Sequence, residues 1–454
     1  MPDSPRLPNA RLQLFPITTE VSVSGTKSEL TIAHQGLNKL ADQYGTPLYL
    51  YDQATLDANL DGYRQSLSHH YPGRGSITYA GKAFLCLAMA QWVKWQGISL
   101  DCSSAGEMHM AEQVGLSRQQ IVCHGVNKSP ADLQAAIHYA GTIVVDNWHE
   151  LKRLISIQDN TIKSSISFPD IWLRLRPGVQ VQTHHHIQTG QSDSKFGFSP
   201  DEFIQAIEFC QAHNIAVKGI HFHLGSHLRT PEPFVLAMEI ALKLIQECYR
   251  LSGWLPKVVC PGGGWAVPYH ETDLPPMAVE NMVAGIAETL INQCHVLHLP
   301  LFDLQLEPGR SLIARAGVAV YRIGAVKNTL SRRYLLLDGG IADNPRPALY
   351  QARYSALPVL DPLQLPTNPI WLAGSFCESG DVLIEGLPLP ELEPGGLIAI
   401  PVSGAYQLSM ASNYNGACRP AVLWLQDQKV QLIQSRENVA DLVRRDLPLI
   451  TLNH

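Results

Sequence analysis

Eight times between Ile77 and Glu307 a short β-prone run gives way to a helical stretch. That alternation limits the folds open to this chain more than any other feature. The runs are Ile77–Ala80, Ile98–Cys102, Ile121–His124, Ile143–Asp146, Ile171–Leu175, Val217–His223, Lys257–Pro261 and Phe302–Glu307. After the first of them, Leu85, Ala88, Met89, Trp92 and Val93 recur at i, i+3, i+4 spacing and mark one buried helical stripe. Ala105–Val114, Pro130–Tyr139, Asp201–His213 and Pro233–Leu251 read the same way. Strands separated by helices pair in parallel, and eight such units over about 230 residues predict a (β/α)8 TIM-like barrel. A barrel places chemistry at strand C-termini, because the βα loops leave from that face. Lys82, Asp101, His223, the glycines of Pro261-Gly262-Gly263-Gly264 and Glu307 all lie at or just beyond the ends of expected strands.

At 454 residues the chain exceeds one ordinary core. After Arg310 the pattern changes to strand-like pieces divided by Gly, Pro and Asn: Tyr321–Lys327, Tyr334–Asp338, Pro369–Phe376, Leu397–Pro401, Ala421–Gln426 and Lys429–Gln434. The first 50 residues add Leu12–Pro16 and Leu48–Tyr51 as strand-like pieces around a short helical stretch, Gly36–Gln43. The expected organisation is an α/β barrel over residues 51–312 and a C-terminal β-rich domain over 313–454, with the segment 1–50 pairing into that β domain.

A net charge of −6 leaves no basic footprint for nucleic acid. No apolar run is long enough to span a bilayer, and residues 1–16 lack the apolar block of a secretion signal. Nine scattered cysteines, an odd count, argue against a disulfide framework and for a reducing cytoplasm.

The strand tips carry a consistent chemistry. A lysine amine such as Lys82 can bind an aldehyde cofactor, although most lysines are merely solvated. Glycines let backbone N–H groups approach a phosphate, and phosphate sites in barrels favour the loops after strands seven and eight, where Gly263 and Gly264 fall. Ser226 can add a hydroxyl. His223 can stack on a flat ring, whereas His221 reads better as a hydrogen-bonded core residue. Glu307 beside a pyridine nitrogen would keep it protonated and make the ring a stronger electron sink; standing alone it would read as a solvated cap. Together these features suggest a pyridoxal 5'-phosphate site. No metal is expected: His184, His185 and His186 are adjacent and point in different directions, even with His227 near, and no Cys or carboxylate pattern completes a site. In the β-rich part, Cys377 offers a thiol proton beside Glu378, which can hold a cationic amine, and Gly404-Ala405-Tyr406 offers a phenol.

The stretches YAGKAF, SSAGEM, CHGVNKS, VVDN, THHHIQTGQSDSKFGF, HFHLGSH, PGGG, EPGRS, DGGIADNPRPALYQARY, CESGDVL and SGAYQLSMASNYN, in this order, make the chain similar to diaminopimelate decarboxylases. These belong to the alanine-racemase-like class of pyridoxal phosphate enzymes, and the resemblance runs from about Leu37 to Leu449. It implies that Lys82 carries the cofactor, His223 stacks on it and Glu307 pairs with the ring nitrogen. Ser226, Gly263, Gly264, Gly309 and Arg310 would hold the phosphate, with Tyr406 close by. Arg310, Arg346, Tyr350 and Glu378 would meet the substrate, meso-diaminopimelate. Cys377 would reprotonate the carbon that loses CO2, giving L-lysine. The same resemblance implies a homodimer in which Cys377 and Glu378 serve the partner's site.

Two stretches depart from the family's usual pattern, Trp265-Ala266-Val267-Pro268 and Asn415-Gly416-Ala417-Cys418-Arg419-Pro420. Three other readings compete. A decarboxylase of ornithine, arginine or lysine would have no use for Arg346, because those substrates lack a distal carboxylate. A racemase fits poorly with Glu307 and the thiol. A non-catalytic homologue should have lost Lys82 or Cys377.

Overall fold

The computed structural model describes residues 7–161, 167–179, 190–191, 193–273, 275 and 277–449. The run His184, His185 and His186, and with it the first part of the THHHIQTGQSDSKFGF stretch, lies outside the described residues. The chain divides into two compact units.

One unit, Leu56–Val267 with the stretch ending at Ile313, is a closed barrel. Its strands, in order around the barrel, are Gly75–Ala80, Ser99–Cys102, Ile121–Cys123, Thr142–Val145, Asp170–Arg174, Val217–His221, Val258–Gly262 and Asp303–Leu306. They are called strands one to eight below. Every neighbouring pair is parallel, and strand eight closes on strand one through Leu304↔Gly75 and Leu306↔Ile77. Each strand lies within two residues of the apolar run expected from the sequence. Both faces of these strands are covered, so their residues read as continuous apolar runs rather than alternating ones.

The interior is filled. Val122, Val144, Trp172 and Cys260 form one buried cluster, and Gly219 on strand six leaves room for the Trp172 indole, whose ring atoms lie 2.7 Å from where a Cβ would stand. Local signals start and stop the helices. Ser129 and Ser199 accept from the backbone N–H of Asp132 and Glu202 in reciprocal capping boxes, each followed by proline. Gly253, in the left-handed region, ends Glu232–Ser252.

The second unit comprises the chain up to Thr55, Pro268–Asp273 and the residues from Ala314 onward. Its main sheet runs Val382–Leu389, Asn368–Ala373, Arg333–Leu337, Gly317–Asn328, Leu48–Asp52, Ala421–Gln426 and Lys429–Gln434. Leu397–Ile400 pairs on Gly317–Asn328 as well. The N-terminal strand Leu48–Asp52 is therefore central, antiparallel to Gly317–Asn328 and parallel to Ala421–Gln426. Leu48, Leu50, Val318, Val320, Leu423 and Leu425 bury their side chains in its core, joined by Leu30, Ile32 and Leu37.

One local expectation needs correction, and two hairpins were not foreseen. Leu12–Pro16 is not a strand: Leu7–Leu12 is helical, and Leu14 and Phe15 are buried in the turn after it. Thr19–Ser24 and Lys27–Ile32 form a hairpin that the sequence reading missed. So do Val382–Leu389 and Asn368–Ala373, because Gly386, Pro388 and Pro390 disguise the former as loop; as an edge strand it tolerates proline. Among the described residues no helix is long and apolar enough to cross a membrane.

A buried polar knot ties this unit together. Tyr49 Oη shares its one proton between Asp343 Oδ2 at 3.1 Å and Gln407 Oε1 at 2.9 Å. Tyr321 Oη also donates to Asp343, and the Gly340 amide reaches Asp343 Oδ1 at 2.8 Å. Burial lifts the Asp343 carboxyl to about 6 despite those hydrogen bonds. The folded protein thus holds this proton more tightly than the unfolded chain, and the associated stability is complete below the unfolded value and lost as pH rises through 6. In urea unfolding, wild type measured against Asp343→Asn should lose about 2 kcal/mol between about pH 4.5 and 7.5. A difference independent of pH would contradict the assignment.

Candidate active site

Strand one ends at Ala80 and the chain turns through Gly81–Ala83, which lifts Lys82 into an exposed position on the C-terminal face of the barrel. Gly81 is required there, because a Cβ would stand 2.7 Å from the Asp101 carbonyl oxygen. The charges that act on Asp101, at the end of strand two, include Lys82 and His124. Burial raises the Asp101 carboxyl, and those two cations oppose the rise.

Next to strand one in the barrel, strand eight delivers Glu307, 6% exposed. Its Oε1 lies 3.0 Å from His124 Nε2, just past strand three, and its Oε2 lies 3.0 Å from His221 Nε2, the last residue of strand six. Burial alone would raise the Glu307 carboxyl; His124 and His221 hold it well below the usual carboxylate range. His221, expected as a hydrogen-bonded core residue, is hydrogen-bonded to Glu307 itself. The loop that carries His124 is pinned by Lys128, whose buried Nζ donates to Gly125 O at 2.9 Å, Val144 O at 2.7 Å and Glu150 Oε1 at 2.7 Å.

His223 lies two residues beyond strand six. Burial, then the cations Lys82 and Arg174, push its imidazole well below the usual range, so the ring is neutral. Gly263 N approaches its Nδ1 at 3.4 Å. The glycine run leaves no space for side chains: a Cβ on Gly263 would stand 2.0 Å from Glu307 O, and one on Gly264 2.0 Å from Gly225 O. Gly264 also has φ +108°, a backbone that other residues rarely adopt. Ser226 accepts from Arg310 Nη2 at 3.0 Å, and Arg310 is itself buried. Gly309 packs where a Cβ would meet that of Ala80 at 3.0 Å. The barrel unit therefore gathers Lys82, His223, Ser226, Gly263, Gly264, Glu307, Gly309 and Arg310 around its strand C-termini.

The remaining expected residues belong to the β-rich unit. Arg346 is buried, with its guanidinium carbon 4.6 Å from the Tyr269 ring centroid and 5.6 Å from that of Tyr354, whose hydroxyl accepts from Nη1. Tyr350, half-buried, ends the same short helix, Arg346–Tyr350. Cys377 and Glu378 are exposed on a loop that Asp381 organises by accepting from Phe376 N at 2.9 Å and Ile341 N at 2.7 Å. Tyr406 has φ +60°, uncommon for a residue with a side chain, and it precedes Gln407 of the buried knot.

His124, Glu107 and Arg174 had no assigned role in the sequence reading. Glu107 accepts from the Ser103 amide at 2.5 Å, and Arg174 pairs with Asp146 at 3.4 Å. His124 ends an expected strand and Arg174 stands one residue before the end of another, the same signal that singled out Lys82 and Glu307.

The sequence model described as Pyridoxal-dependent decarboxylase, pyridoxal binding domain, matches residues 56–314. The diaminopimelate decarboxylase of Halalkalibacterium halodurans is 38% identical, covering 93% of this chain and 96% of its own. That of Bacillus subtilis is 38% identical over 91% and 94%. The crystal structure of diaminopimelate decarboxylase from M. jannaschii superposes with a TM-score of 0.86 at 27% identity, covering 95% of this chain and 98% of that one, and it has also been solved in co-complex with L-lysine. Whole-length identity at this level, on a barrel with a lysine and an ionised acid at the tips of neighbouring strands, leads to one conclusion: the chain belongs to the diaminopimelate decarboxylase family.

Proposed function

We propose that the protein removes CO2 from meso-2,6-diaminopimelate to give L-lysine, using pyridoxal 5'-phosphate. The observation that carries this reading is Glu307, a buried carboxylate held ionised at the tip of the strand next to the one that carries Lys82, in a chain 38% identical to diaminopimelate decarboxylases along almost its whole length.

The residues present fit such a cofactor. At Gly263 and Gly264 the backbone packs too closely for any Cβ, and such glycine backbone lets amide N–H groups approach a phosphate. Arg310 and Ser226 add a cation and a hydroxyl beside it. Lys82 is the amine that retains the cofactor aldehyde, and neutral His223 presents a flat ring for stacking. Bound there, the cofactor supplies an electron sink for the pair left behind when CO2 departs. Glu307 would accept a hydrogen bond from the ring nitrogen and keep its proton in place.

Arg346 recognises the distal carboxylate of the substrate, a group suited to its planar fork. Tyr269 and Tyr354 hold that guanidinium flat within the β-rich unit. Tyr350 and Glu378 complete the recognition of the tail, with Glu378 taking the distal amine. Cys377 donates its thiol proton to the carbon that lost CO2. Tyr406, which precedes Gln407 of the buried knot, would approach the cofactor. The active unit is a homodimer in which Cys377 and Glu378 act in the partner's site; their exposure on a firmly tethered loop supports this. Nine unpaired thiols, seven of them buried, suit a reducing cytoplasm.

The deciding experiment incubates purified, cofactor-supplemented protein with meso-diaminopimelate and measures CO2 and L-lysine, with L-ornithine and L-lysine as rival substrates. Turnover confined to diaminopimelate is expected; preference for ornithine would overturn the substrate assignment. Replacing Arg346 by Ala should raise KM for diaminopimelate by about ten- to hundredfold, the worth of a charged hydrogen bond. Lys82→Ala and Cys377→Ala should each be inactive alone. Mixed and allowed to exchange subunits, they should recover about a quarter of wild-type activity, because half the dimers then contain one intact site. No recovery despite demonstrated exchange would show that each chain completes its own site.

A further inference from the structure

Glu307 is gripped from two sides by groups that the decarboxylation scheme above does not use. His124 and His221 come from strands three and six, their Nε2 atoms each stand 3.0 Å from a different oxygen of the carboxylate, and their rings meet edge to face at 4.9 Å between centroids. All three residues are buried.

The hydrogen-bond geometry constrains the protons. A carboxylic acid would donate from one oxygen, whereas donors on both oxygens require a carboxylate that only accepts. His221 Nδ1 meets no partner, so the tautomer that avoids a buried orphan N–H carries its proton on Nε2, facing Glu307. His124 Nε2 has a second carboxylate, Asp101 Oδ1, at 3.9 Å. It is thus flanked by two acids and takes up the extra proton, whereas burial keeps His221 neutral, near 4. Further groups bearing on this cluster are Lys82 from the tip of strand one, Arg174 from strand five and the Cys260 thiol from strand seven.

We propose that His124 and His221 are positioning residues for Glu307: the imidazole pair fixes the plane of the carboxylate and keeps it ionised, and through it secures the proton on the ring nitrogen of bound pyridoxal phosphate. The inference rests on the cofactor reading given above. A carboxylate hydrogen-bonded on one side only would be free to rotate and would share its proton with the ring. Held from both sides, it offers its remaining lone pairs in one fixed direction.

The test loads the enzyme with pyridoxal phosphate labelled with 15N in the ring and records that nitrogen's chemical shift as a function of pH. Wild type should show a protonated ring nitrogen throughout the range in which the protein is stable. His221→Leu and His124→Asn should each lose part of that protonation, and His221→Gln, which restores an N–H donor, should regain it. In the same variants kcat should fall about ten- to hundredfold with little change in KM, the size usual for a partner that orients a primary group. Unchanged 15N shifts in folded His124→Asn, or in the double variant with His221→Leu, would overturn the proposal. Should His221→Leu not fold, His124→Asn and His221→Gln decide it on their own.

Glu307→Gln separates the two levels. If it leaves the ring protonated, the placement of the cofactor against Glu307 is wrong. If it strips the proton and the histidine variants do not, only the imidazole grip is wrong. Because two histidines and a carboxylate with donor atoms within 4.8 Å of one another also form a metal-type set, stoichiometric metal in the holoenzyme that disappears in His221→Leu would likewise overturn the proposal.

Discussion

A carboxylate taken out of water stays charged only if the surrounding protein replaces its lost hydration with donors of comparable strength. At Glu307 the replacement is two imidazole N–H groups, one per oxygen, in a site from which solvent is almost excluded. The choice of residue types follows from that requirement. A lysine or arginine against the same carboxylate would neutralise it in a permanent pair and leave little of its field for a ligand. Imidazoles donate without each having to carry a full charge. The acid therefore remains electrically available to whatever binds at the mouth of the barrel.

The barrel makes this arrangement possible by bringing together strand ends that are remote in sequence. His124, His221 and Glu307 come from strands three, six and eight, and partners separated by 183 and 86 residues meet at 3.0 Å. Lys82 reaches the same face because Gly81 lets strand one pass against the backbone of strand two. Gly263 and Gly264 do the corresponding job near Glu307 and Gly225. At each of these points a methyl group would push apart two loops that must touch. The glycines are thus as much a part of the site's accuracy as the residues that carry charge.

Legibility in the sequence followed the same division. Apolar runs buried on both faces announce themselves, and a polar residue at the end of such a run is conspicuous, which is why Lys82, His223 and Glu307 stood out. The partnership of Glu307 with His124 and His221 did not, because nothing local links residues that far apart. His124 was visible as a strand tip and as part of a family stretch, but its purpose is a property of the closed barrel. In the β-rich unit, Ala421–Gln426 and Lys429–Gln434 were readable to the residue, as strand-like runs on either side of a turn. Val382–Leu389 was hidden by Gly386 and Pro388, which an edge strand accepts and a central one does not. Leu14 and Phe15 looked like strand residues because they are apolar, yet they are buried in a turn.

The central place of Leu48–Asp52 in the β-rich sheet has a consequence for how the molecule is made. That strand must wait for neighbours at Gly317–Asn328 and Ala421–Gln426, which leave the ribosome hundreds of residues later. All eight barrel strands are synthesised in the interval, with their own parallel partners close at hand. An apolar ribbon stays unsheathed while the barrel matures, and the sheet closes only when almost the whole polypeptide has emerged. Birth order and chain order therefore part company: the piece translated early is among the last to find its seat.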